Sequence, residues 1–129
     1  MKYPIAIEVG TETTAYGVII PDLPGCFSAG DTLDEAIENA REAAELWLET
    51  VIDDGGTIPE ASTVSAHHAN PEFEGCIWAV IDVDFAKLSN TTQRVNITLP
   101  SRVLRRIDRD AKNAGESRSG FIARKVLVP

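Results

Sequence analysis

Gln93-Arg94-Val95-Asn96-Ile97-Thr98-Leu99-Pro100 decides how the C-terminal third of this chain is read. Polar and apolar side chains alternate strictly until the proline ends the run. Period two predicts a strand over Gln93–Leu99, with a dry face of Val95, Ile97 and Leu99 and a presented face of Arg94, Asn96 and Thr98. Seven residues cannot bury that dry face alone, and a lone strand leaves its edges unpaired. A partner strand is required.

The residues after it are helical. Val103, Leu104, Ile107 and Ala111 share one stripe behind the start signal Pro100-Ser101, and Asn113-Ala114-Gly115 stops the helix. Ser117 or Ser119 then caps a second helix whose stripe holds Phe121, Ile122, Lys125-Val126 and Leu127. Such a unit falls below the ~40 residues at which domains usually stop folding alone. The economical solution is a dimer in which two strands pair as an antiparallel ribbon across four helices. Its outer face carries two copies each of Arg94, Asn96 and Thr98. A two-stranded ribbon fits the major groove, where Arg reads guanine and Asn reads adenine.

The segment resembles the ribbon-helix-helix family of DNA-binding proteins, through RVNITLP (94–100), the helix stop at 111–115 and ESRSGFI (116–122). The resemblance implies base contacts from Arg94, Asn96 and Thr98, and phosphate contacts from Ser117, Arg118 and Ser119 where the second helix begins. Helix N-termini favour phosphate through free N–H groups and the dipole, so the physics agrees.

The net charge of −8 looks wrong for a nucleic-acid binder until it is divided. Residues 1–90 hold three Lys/Arg and seventeen Asp/Glu, a net −14, whereas residues 91–129 hold nine and three, a net +6. An acidic body fits a basic protein partner, and a basic tail fits phosphate. No run approaches the ~18 apolar residues of a membrane span, and Met1-Lys2-Tyr3-Pro4 leads into strand-like sequence instead of a signal peptide, which predicts a cytoplasmic protein. Cys26 and Cys76 lie in strand-like surroundings without metal-ligand spacing. They read as small apolar residues in a reducing compartment, with a bond between them left open.

Along the body, Tyr3, Ile5, Ile7 and Val9 alternate as a first strand, with Pro4 marking an edge or a strand beginning. Tyr16, Val18 and Ile20 make a second, and Cys26–Ala29 a short third after Pro21-Asp22-Leu23-Pro24-Gly25. A long helix over Leu33–Asp54 follows. Its stripe is Leu33, Ala36, Ile37, Ala40, Ala44, Trp47, Leu48 and Val51; Thr32 with Glu35 makes a capping box and Gly55-Gly56 ends it. Thr57–Gly75 reads as a long loop in which His67 and His68 lack ligands nearby. Ile77–Val83 is a last strand, apolar on both sides and so expected inside the sheet. The order β-β-β-α-β describes an α+β layer of one sheet under one helix.

Catalysis finds little support. Glu8, Asp22, Asp31 and Asp82 lie on or beside strands, as carboxylates of a two-metal nuclease would. No metal motif, no nucleophile beside a base and no Gly-rich phosphate loop accompanies them, and lone strand-end carboxylates usually solubilise or cap. No cofactor or metal site is expected.

Pro21-Asp22-Leu23-Pro24-Gly25-Cys26, Gly30–Ala36 and Glu38–Ala43, with Tyr3-Pro4 and Tyr16-Gly17-Val18, resemble the HicB antitoxin family of type II toxin–antitoxin systems. A ribbon-helix-helix tail is one of the two DNA-binding tails this family uses. The resemblance implies a partial RNase H-like body over residues 1–85 without enzymatic activity, a linker over 86–92 and a ribbon-helix-helix domain over 93–129. It implies inhibition of a HicA-type toxin, a small basic ribonuclease that cleaves mRNA, and repression of the operon through operator double-stranded DNA. The toxin contact is placed on Asp22, Leu23, Pro24, Gly25, Cys26 and Phe27 and on the acidic helix face at Glu38, Glu42 and Glu45. The chain would dimerise through its tail, and the sequence leaves open whether the body makes a tetramer. The alternative is a stand-alone repressor whose acidic body senses a small molecule or another protein.

Overall fold

The computed structural model describes residues 1–88 and 94–128. They form two compact units, Met1–Val83 and Asp84–Pro129, each taken by itself.

The first unit is a four-stranded sheet, β1 (Lys2–Glu8), β2 (Tyr16–Ile19), β3 (Phe27–Gly30) and β4 (Ile77–Asp82), in the order β3-β2-β1-β4 with every pair antiparallel. Register sorts the side chains into two faces. Ile7 sits opposite Ile77 on one side and Val18 on the other, and Ala6 sits opposite Trp78 and Ile19. The face of Tyr3, Ile5, Ile7 and Val18 carries α1 (Leu33–Asp53). Gly30 shows this directly, because a Cβ there would lie 2.5 Å from Ala36 N. Only glycine admits so close an approach. The buried stripe of α1 is accordingly narrow and small-sided, with Ala36, Ala40, Ala44 and Leu48 all fully buried.

Helix α1 begins where the sequence predicts: Thr32 Oγ1 accepts a hydrogen bond from Glu35 N at 3.1 Å. It ends one residue earlier than expected, before Asp54 and a Gly55 at φ +74°. The segment expected as a loop over Thr57–Gly75 contains α2 (Val64–His68) and a 3₁₀ turn at Pro71–Phe73. Its side chains cover the second face of the sheet: Phe73 meets Trp78 edge-on at 5.5 Å, and His67 stacks on Trp78 at 6.4 Å.

Strand order corrects one expectation. β4 lies at an edge, and the interior strands are β1 and β2, with Tyr3–Ile7 of β1 all buried. Two-sided apolarity marks β4 for a different reason: Ile81 faces the helix side and Trp78 faces the aromatic cover, while Ile77 and Val80 stay exposed. Pro4 fits a strand beginning, because pairing to β2 starts only at Ala6.

The second unit opens with a 3₁₀ turn at Phe85–Lys87, capped by Asp84 Oδ1 on Ala86 N at 2.9 Å and packed on the last helix. Phe85 and Leu88 are buried. The linker expected over 86–92 therefore does not start at Ala86; its part over 89–92, like Gln93, lies outside the described residues. α3 (Ser101–Asn113) and α4 (Arg118–Leu127) follow, joined by a turn in which Gly115 takes φ +69° and Arg124 Nε meets Glu116 Oε1 at 2.7 Å. The single chain gives 94–100 no sheet partner. Of the stripe expected on α3, only Ala111 is buried; Leu104 and Ile107 are half-buried and Val103 is exposed. Two helices leave too little surface to cover it.

Candidate functional site

In the second unit, the residues expected to read bases are all exposed. Arg94, Asn96 and Thr98 alternate with Val95 and Ile97, which are 71% and 69% exposed. Apolar side chains open to that degree, two residues apart, are unusual for a finished surface. Beside them, Val95 to Leu99, Leu104 and Ile122 line an open groove that reaches Arg118 and Ser119.

At the start of α4 the three residues expected on phosphate have separate tasks. Ser117 is the cap, its Oγ accepting from Gly120 N at 3.1 Å. Arg118 is held by Asp108 of α3 through a bidentate pair, Nε to Oδ1 at 2.7 Å and Nη2 to Oδ2 at 2.9 Å. Among the described residues, that fork leaves the Nη1 edge of the guanidinium without a partner. Ser119 is exposed beside Ser117, the two hydroxyls 3.5 Å apart.

In the first unit, the structure divides the residues expected to meet a protein partner. Asp22 is turned inward, its side chain 9% exposed. It accepts from Ser62 N at 2.9 Å and from Ser62 Oγ at 2.6 Å, and His67 Nε2 lies 2.9 Å from Oδ1. Burial works to raise its pKa, but the Ser62 hydroxyl, the Ser62 N–H and the His67 ring outweigh it and hold the carboxyl below the ordinary range. His67, for which the sequence offers no metal ligands nearby, has two hydrogen-bond partners. Their separation of 45 and 5 residues concealed them. A Ser, a His and an Asp together suggest hydrolysis, and the geometry argues against it. Ser62 donates its only proton to Asp22, so His67 Nε2 must carry a hydrogen to bond either oxygen. The same nitrogen meets both partners, whereas a triad needs the base to use two. The cluster is a clamp that ties the β2–β3 turn to the segment before β4.

Leu23 and Cys26 are buried as well, so of the six turn residues Pro24, Gly25 and Phe27 face outward, Phe27 being 65% exposed. Trp47 Nε1 donates to Pro24 O at 3.1 Å and fixes the turn on α1. Two of the three helix glutamates are not on that side. At 100° per residue, Glu38 and Glu45 lie roughly opposite Trp47. Arg41 bonds both of them, reaching Glu45 Oε1 at 2.6 Å. Glu42 is exposed on the outer face between the two flanks. Cys26 and Cys76 are free thiols, each pushed up by burial. Among the described residues, no three His, Cys, Asp or Glu side chains are placed to hold a metal ion, and no helix is long and apolar enough to cross a membrane.

Comparison with known proteins places this geometry among relatives. Residues 3–126 match the family described as HicB-like antitoxin of bacterial toxin–antitoxin systems. An uncharacterised 14.9 kDa protein of Haemophilus phage HP1 is 39% identical over 125 residues, covering 95% of this chain and 92% of that protein. The crystal structure of the Burkholderia pseudomallei antitoxin HicB is similar at a TM-score of 0.83 and 41% identity, over 98% of this chain and 96% of that one. A chain of the HicA3 and HicB3 toxin–antitoxin complex is similar at a TM-score of 0.56 and 29% identity, over 65% of this chain and 99% of that one.

Proposed function

The chain belongs to the HicB-like antitoxin family, and on that premise we propose that it neutralises a HicA-type toxin with its first unit and represses its own operon with its second. The charge division supports both halves. The first unit holds Lys2 and Arg41 against sixteen Asp/Glu, while residues 84–129 hold ten Lys/Arg against four Asp/Glu. An acidic surface meets a cationic toxin, and a basic one meets operator phosphates. The toxin complex similar to this chain matches it over 65% of its length, about the share that the 83 residues of the first unit make up. The first unit would be a partial RNase H-like fold that acts by binding, without catalysis of its own.

The exposure of Val95 and Ile97 carries the DNA half. In a ribbon-helix-helix dimer, a second copy pairs with 94–99, buries those side chains against the helices and turns Arg94, Asn96 and Thr98 outward into the major groove. Ser117, Arg118 and Ser119 then meet the flanking phosphates. Replacing Ile97 by Asp tests it, because a charge at the centre of the ribbon prevents pairing. The variant is expected to lose both the dimer in size-exclusion chromatography with light scattering and operator binding in a mobility-shift assay. A variant that still dimerises and shifts the operator would overturn the ribbon.

A further inference from the structure

One surface of the first unit is built differently from the rest. Between the β2–β3 turn and α1 runs an open groove of about 370 Å³, lined by Cys26, Phe27, Ala43, Leu46, Trp47 and Val51. Phe27 and Leu46 are 65% and 66% exposed, from opposite walls, and Trp47 is fixed in place by its bond to Pro24. Around Leu46 the helix spacing sets carboxylates at i−4, i+3 and i+7, namely Glu42, Glu49 and Asp53. The single arginine of the unit is engaged on the far flank with Glu38 and Glu45. An apolar centre flanked along one wall by charge has the anatomy of a protein-binding hot spot.

Resting on the antitoxin reading, we propose that this groove receives an apolar side chain projecting from the toxin's cationic surface, with Phe27 and Leu46 as the two anchors and Glu42, Glu49 and Asp53 as the rim. Charge selects this occupant over a second copy of the chain. A two-fold contact here would set the same row of carboxylates against itself inside a unit of net −14, whereas Lys or Arg beside the inserted side chain satisfies them. The toxin-binding surface then excludes Leu23, which is buried, and Glu38 and Glu45, which Arg41 already engages.

The test uses the full chain and the toxin of its own operon, with affinity measured by calorimetry. Phe27→Glu and Leu46→Glu are each expected to weaken binding about 30-fold or more, as loss of a hot-spot residue does, while the pair Glu38→Gln and Glu45→Gln changes it less than about threefold. Both anchors are exposed, so unchanged circular dichroism and melting temperature accompany the loss; Leu46→Ser serves should either variant unfold. If the unaltered chain binds the toxin and the anchor variants bind within threefold of it, the groove is not the seat, although the antitoxin reading stands. An anchor variant that alters the oligomeric state and leaves toxin affinity intact assigns the groove to self-contact and overturns the proposal. Failure of the unaltered chain to bind at all refutes the antitoxin reading itself.

Discussion

Asp22 accepts three hydrogen bonds in a nearly buried position, and removing its charge tests whether the clamp holds the turn. Asp22→Asn is expected to cost about 1–3 kcal/mol of stability near neutral pH, the range for leaving buried partners poorly matched. Because the folded pKa of Asp22 is depressed, its contribution is present above the unfolded value of about 3.9 and is lost as pH falls through the folded value. Urea melts should therefore show the gap between variant and parent closing as the pH falls below the unfolded value of about 3.9; a constant gap would mean that packing, not charge, is responsible. Asn96 carries the corresponding test in the second unit. Asn96→Ala is expected to cost about 1–3 kcal/mol on operator DNA and little on random sequence. Equal losses on both would assign Asn96 to dimer stability. The two residues differ in how visible they are from sequence. Asn96 stands out because its neighbours alternate, whereas the partners of Asp22 lie 40 and 45 residues away and no spacing rule connects them.

At the scale of elements, the structure shows what periodicity can and cannot record. α1 was legible because its apolar stripe, its Thr32 cap and its Gly55-Gly56 end agree on one helix. The edge position of β4 was not, because alternation reports which faces of a strand are covered and says nothing of its neighbours. The helix hidden in the connection, α2, is too short at five residues to show a period. Helices α3 and α4 are joined by the pair Asp108–Arg118, and under the proposed function this pair bears on DNA binding. If Arg118 meets phosphate, Asp108 competes with the nucleic acid for the same guanidinium. Asp108→Asn is then expected to tighten binding to operator and to random DNA alike, about threefold at fixed salt, the modest gain that an exposed pair allows. A mobility-shift titration that shows weaker binding instead would make Asp108 the residue that orients Arg118.

For the whole molecule, charge and exposed apolar surface point to assembly in two directions. The first unit presents carboxylates along one wall of an apolar groove, and the second, rich in arginine, presents an apolar row that a single chain leaves open. The split was plain in composition, since the two signs are segregated along the chain. The exposure of Leu46, which is 66%, was not plain, because in sequence it is one more apolar residue near the helix stripe. The central claim is that the chain silences a ribonuclease by binding it. The most direct measurement is to co-express the full chain with the HicA-type toxin of its operon, pass the products over a sizing column and assay RNA cleavage. One complex that leaves RNA intact is the predicted result. A toxin that elutes alone and cleaves RNA in the presence of excess chain would contradict the account.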